Sequence, residues 1–142
     1  METAVIVILI LLACGCAMNQ AHINGTILAD GGDVAYSRDG KVEGYWVPTD
    51  ETIARAAPAV LDYIEAQSAE IYAKLERYRC QYVGIVVAGK KRIYCNFFEF
   101  TDDEADWKER FVFVFDGGDM YFQLEYDVDS GGCLNFEVNG EA

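Results

Sequence analysis

The sequence predicts an α+β domain: one long, Pro-kinked helix packed on a four-stranded antiparallel meander, preceded by a small hairpin. Three observations point there. Leu61, Ile64, Ser68, Ile71, Leu75 and Tyr78 recur at the spacings of three and four that make one helical face. After Cys80, alternating apolar stretches are separated by turns rich in Gly. With 142 residues, 52% of them hydrophobic, and 9 Tyr, 8 Phe and 2 Trp, the chain has the material for one real core and is too aromatic for disorder.

Taken in order, the first stretch is a targeting segment. From Ala4 to Met18 it is apolar or small, the length of a signal-peptide core and short of the ~20 residues of a membrane span. Leu11-Leu12-Ala13-Cys14, followed by Gly15, resembles the lipobox of bacterial lipoproteins. That resemblance implies cleavage before Cys14, lipid on Cys14 and an exported, membrane-anchored protein of the cell envelope. The expected organisation is residues 1–13 as signal peptide, 14–33 as lipidated tether and 34–142 as a single α+β domain. VIVILILL also fits an uncleaved anchor or a buried strand, and the opening Met-Glu-Thr lacks the positive charge of an export signal.

Arg38-Asp39-Gly40 between VAYS and KVEGYWV reads as the small hairpin. Thr49 is an N-cap, with Asp50 and Glu51 in the first turn, for a helix that Pro58 kinks or restarts and that runs to about Tyr78. QYVGIVVAGKKRIYCNFFEF predicts a hairpin with Gly89-Lys90 at its turn, pairing Val86 with Ile93, Gly84 with Cys95 and Tyr82 with Phe97.

DGGD occurs at 30–33 and again at 116–119. The first reads as a turn or loop. The second predicts a hairpin that sets Phe115 opposite Met120, Phe113 opposite Phe122, Phe111 opposite Leu124 and Arg110 opposite Glu125. Asp116 and Asp119 are two carboxylates, where Ca²⁺ takes six to eight oxygens, so no metal is expected there. DVDSGGCLNFE fits the first half of a calcium loop but carries Val138 where the bidentate Glu belongs. It reads instead as a hairpin pairing Val128 with Leu134, Tyr126 with Phe136 and Leu124 with Val138.

Function is less legible. The net charge of −13 excludes a phosphate-binding basic face, hence nucleic acid, and suits a basic protein or simple solubility. The most concentrated acidic surface is Asp102, Asp103, Glu104 and Asp106, the expected contact for a basic partner. The single His, His22, lies in the tether, no CxxC spacing occurs, and no convergent acid, base and nucleophile set is visible. No catalytic residue, cofactor or metal is therefore expected. Cys95 should face inward and Cys133 outward.

A helix followed by sequential hairpins resembles the cystatin-type roll, and Ile85-Val86-Val87-Ala88-Gly89 is similar to the QVVAG hairpin of cystatins. The leading expectation is a non-enzymatic exported lipoprotein whose domain binds protein or serves the envelope structurally. The alternatives are an acidic inhibitor or immunity-type protein against a basic hydrolase, lysozyme- or protease-like, and a small-molecule binder on the concave face of the sheet.

Overall fold

A computed structural model of the chain describes residues 21–101 and 105–141. The expected signal segment, Cys14, Asp102, Asp103 and Glu104 lie outside the described residues. The class is α+β, with a mixed six-stranded sheet. In chain order come β1 (Gly25–Ile27), α1 (Val34–Ser37), β2 (Gly44–Trp46), α2 (Asp50–Gln67), α3 (Ala69–Ala73), β3 (Tyr78–Val87), β4 (Lys90–Glu99), β5 (Tyr121–Asp127) and β6 (Cys133–Val138). Strands β3, β4, β5 and β6 lie side by side, antiparallel; β1 and β2 both pair with β3, β1 in parallel.

Residues 21–33, expected as tether, are part of this fold. Gly25–Ile27 adds a strand to β3 opposite Cys80–Tyr82, and Leu28 is buried. The hairpin expected around Arg38-Asp39-Gly40 does not form. VAYS is a helical turn and Gly44–Trp46 pairs with Gly84–Val86 instead, because β3 offers a free edge longer than β1 can cover. β2 passes so close that a Cβ at Gly84 would run into the Trp46 carbonyl. Gly84→Ala is expected to cost about 1–3 kcal/mol as an overpacking change, read by chemical denaturation.

The Thr49 cap is as expected, its hydroxyl accepting the Thr52 N–H at 3.2 Å. Pro58 produces no fresh start; α2 runs through it, Pro58 and Ala54 both lying on the exposed side, where water can serve the freed carbonyl. The break comes ten residues later. Ser68 is extended, ends α2 by donating its N–H to Ile64 and caps α3 by accepting the Ile71 N–H at 3.1 Å. A 3₁₀ turn, Leu75–Arg77, then leads into β3, so the apolar stripe from Leu61 to Tyr78 spans two helices, a turn and a strand start.

The β3–β4 hairpin forms with its turn one residue earlier than expected, at Ala88-Gly89, with φ of 51° and 74°. Positive φ at both positions is the type I′ geometry that matches strand twist. Tyr82 therefore faces Cys95 and Gly84 faces Ile93, two residues from the expected register, a shift that leaves every side chain on its expected face.

The DGGD hairpin is the largest correction. Residues 111–115 are not a strand, and Gly117-Gly118 lead into a 3₁₀ turn at Gly118–Met120. β5 pairs directly with β4, placing Phe122 opposite Phe97, Leu124 opposite Cys95 and Tyr126 opposite Ile93. Arg110 pairs with Asp106 at 3.4 Å rather than with Glu125. The last hairpin does form, but a register shift between Gln123 and Glu125 sets Tyr126 opposite Cys133. That shift turns Cys133 toward the helix side, where it packs half-buried, and not outward as alternation implied.

Both faces of the sheet are buried. On one, Tyr78, Cys80, Tyr82, Phe97, Phe122 and Leu124 pack against Val60 and Ile64 of α2, Ile71 of α3 and Leu75. On the other, Val83, Ile85 and Tyr94 are covered by Leu28, Val34, Val42 and Phe111. The second cover comes from α1, its flanks and the long connection between β4 and β5.

Candidate functional site

Of the acidic run, Asp106 falls within the described residues. It is exposed and opens a short turn, its carbonyl accepting the N–H groups of Glu109 at 2.9 Å and Arg110 at 3.0 Å. This turn lies beside the first DGGD. Asp30, Asp33, Asp106 and Glu109 line a depression of about 390 Å³ floored in part by Phe111 and Val112. Among the described residues its one cation is Arg110, which pairs with Asp106 at 3.4 Å. Sequence reasoning placed Asp106 in an acidic surface but missed Asp30, Asp33 and Glu109, because nothing local signals that the first DGGD meets this turn.

The turn is held by two buried amides on the sheet. Gln81 donates from Nε2 to the carbonyls of Trp107 at 2.6 Å and Arg110 at 2.7 Å, and its Oε1 accepts the Val112 N–H at 2.9 Å. Asn96 donates from Nδ2 to the Gln81 Oε1 at 3.1 Å and to the Val112 carbonyl at 2.8 Å. Trp107 seals the assembly with its ring edge-on to Phe98, centroids 6.0 Å apart. The Asp106–Glu109 side of the acidic rim is thereby fastened to β3 and β4 through main-chain hydrogen bonds, as a binding surface requires.

A second polar cluster lies on the same face. Glu125 is 3% exposed and accepts from Arg38 Nε at 2.9 Å, Arg38 Nη2 at 3.1 Å and Arg92 Nη1 at 3.0 Å. The fork of Arg38 and the carboxylate make a bidentate pair. Ser37 and the Tyr94 hydroxyl are 2.9 Å apart beside it, and burial pushes the Tyr94 hydroxyl up from its ordinary range. Each carboxylate oxygen of Glu125 has a cationic partner, so the cluster fastens α1 to the sheet and offers no free base.

The other residues singled out by sequence are accounted for structurally. Asp119 pairs with Lys74 at 2.8 Å, a hydrogen bond that raises the Lys74 ammonium, and it does not face Asp116. Asp127 accepts the Ser130 N–H at 2.9 Å, which lowers its carboxyl and closes the last turn. Cys80 and Cys95 are buried; burial raises the Cys80 thiol strongly and pushes Cys133 up to about 12, against thiolate formation. Among the described residues, no group of three or more His, Cys, Asp or Glu is arranged to hold a metal ion, and no helix is long and apolar enough to cross a membrane. No protein-family model, no curated protein and no solved structure matches this chain.

Proposed function

We propose that the chain is a non-enzymatic, exported lipoprotein, anchored to the envelope membrane through lipid on Cys14, whose domain binds a basic protein at the acidic depression. The observation that carries the binding reading is the convergence of Asp30 and Asp33 with Asp106 and Glu109; in the sequence, Asp102, Asp103 and Glu104 precede Asp106. Four carboxylates around one depression, with the guanidinium of Arg110 already engaged by Asp106, suit a protein surface rich in Lys and Arg. The lipid reading is supported by the Leu-Leu-Ala-Cys sequence at the end of an apolar run. The helix beside sequential antiparallel strands favours kinship of form with the cystatin-type roll, here with a second cover added.

The non-enzymatic reading is supported by the state of the buried polar groups. Glu125 is tied by two arginines, and burial raises Cys80, Tyr82 and Tyr94 away from reactivity. Inhibition of a basic hydrolase is the more specific form of the same binding, since a negative rim speeds encounter with such an enzyme.

The test is titration of the detergent-solubilised full chain with a lysozyme as a representative basic hydrolase. Binding should weaken steadily as salt rises, and Asp30→Asn/Asp33→Asn/Asp106→Asn/Glu109→Gln should raise Kd at least about tenfold, that is 1.4 kcal/mol. An unchanged Kd in that variant removes the depression from the contact.

A further inference from the structure

We propose that the end of the domain carrying Phe100, Phe115 and Met120 rests on the interface of the lipid bilayer, fixing how the anchored domain stands on the membrane. This rests on the reading that lipid on Cys14 tethers the chain. The sheet register defines the end in question. Gly25, Cys80, Phe97, Phe122 and Val138 form one continuous row across β1, β3, β4, β5 and β6. Because β1 runs parallel to β3, the chain from Ala21 to Asn24 enters from the Tyr78 side of that row, and the Asn24 carbonyl accepts the Cys80 N–H.

The same side displays apolar side chains. Phe100 is 37% exposed, its N–H bonded to the Arg77 carbonyl; Met120 is 36% exposed and immediately precedes Tyr121, the partner of Phe98. Phe115 is 79% exposed, and the carbonyls on either side of it, of Val114 and Asp116, are held by Asn139, whose own N–H bonds Tyr121. A Phe exposed to that degree, braced by side-chain amide bonds to its flanking backbone, is a fixed apolar projection.

Charge and chain length argue for the occupant. Arg79 lies over the Phe100 ring at 4.7 Å, and Lys74 is paired with Asp119 at 2.8 Å. A guanidinium stacked on an aromatic ring suits the headgroup layer, where the ring meets the acyl boundary on its free side and the cation stays among the phosphates. With Glu76 and Glu99 nearby the end carries no net positive field, so the surface it fits is zwitterionic. Cys14 precedes Ala21 by seven residues, so an acyl chain there holds this end within about 25 Å of the bilayer. At that range a few apolar side chains suffice to orient a domain they could not recruit from solution.

The experiment places p-benzoylphenylalanine at position 115 or, at the opposite end of the sheet, at position 45, in the full chain reconstituted in phosphatidylcholine vesicles. Irradiation should yield lipid adducts at 115 at least fivefold more often than at 45, scored by mass spectrometry of the vesicle-floated protein. Floated protein with equal or no adduct at 115, or with adducts there to a second copy of the chain, overturns the proposal and leaves lipid attachment standing. Lipid adducts at 115 that persist in Cys14→Ser overturn lipid attachment instead and leave this face on the membrane.

Discussion

Glu125→Ala is expected to destabilise the domain by about 3–5 kcal/mol, the cost of removing one partner from a buried ionic cluster. Arg38 and Arg92 have side chains only 7% and 16% exposed, so the variant takes the shared carboxylate from two largely buried guanidinium groups and leaves Arg92 only its longer 3.9 Å contact with Asp127. The loss falls on a whole layer, because Arg38 follows α1 and its fork is what pins α1 and the flanking cover over Val83, Ile85 and Tyr94. Chemical denaturation measures it as a lower midpoint. Arg38→Met/Glu125→Leu, which removes charge on both sides of the bidentate pair, should recover part of the loss, since apolar replacement of a buried pair is tolerated better than its disruption. If Glu125→Ala costs under 1 kcal/mol, water reaches the cluster freely and the second cover is loose.

Phe122→Ala is expected to cost about as much, 3–5 kcal/mol as a fully buried large-to-small change. Its ring stacks on Phe97 with centroids 4.5 Å apart, meets Tyr78 edge-on at 5.1 Å and touches Phe136 at 5.6 Å. Phe113→Ala serves as the internal contrast. Phe113 meets the exposed Phe115 edge-on and lines a shallow groove, and its truncation should cost less than half as much. Equal losses would restore the pairing of Phe113 with Phe122 that the sequence suggests and the sheet register replaces.

The misreading of that pair shows where sequence information runs out. Phe111, Val112, Phe113, Val114 and Phe115 are all apolar, so period-two alternation has no polar face against which to fix a register. The β4–β5 pairing offers Phe122, Leu124 and Tyr126 equally apolar partners, and only the three-dimensional need to cover Val83 and Ile85 decides between them. Signals that act locally were legible: the Thr49 cap, the glycine at the β3–β4 turn, and a hairpin before Cys133. Ser68 was legible in principle, being a good N-cap with Glu70 in the first turn after it, but its place on an apolar stripe hid it. The acidic depression was visible only through Asp106, one of its four carboxylates. Asp30 and Asp33 reach it because β1 adds to β3, a parallel pairing of three residues that no turn chemistry announces.

The grip of Gln81 and Asn96 on residues 107–112 has a consequence for how this protein can change over generations. Apart from the bond between them, the two amides address only main-chain groups of the connection: the carbonyls of Trp107, Arg110 and Val112, and the Val112 N–H. Main-chain groups are common to every residue, proline apart, so the grip does not depend on which side chains pass through it. The positions facing outward from it, Lys108 and Glu109 among them, are therefore open to substitution without loosening the segment from the sheet. The sheet acts as a fixed chuck and the connection as an exchangeable bit, so a lineage can alter what the rim recognises while the core that carries it stays the same.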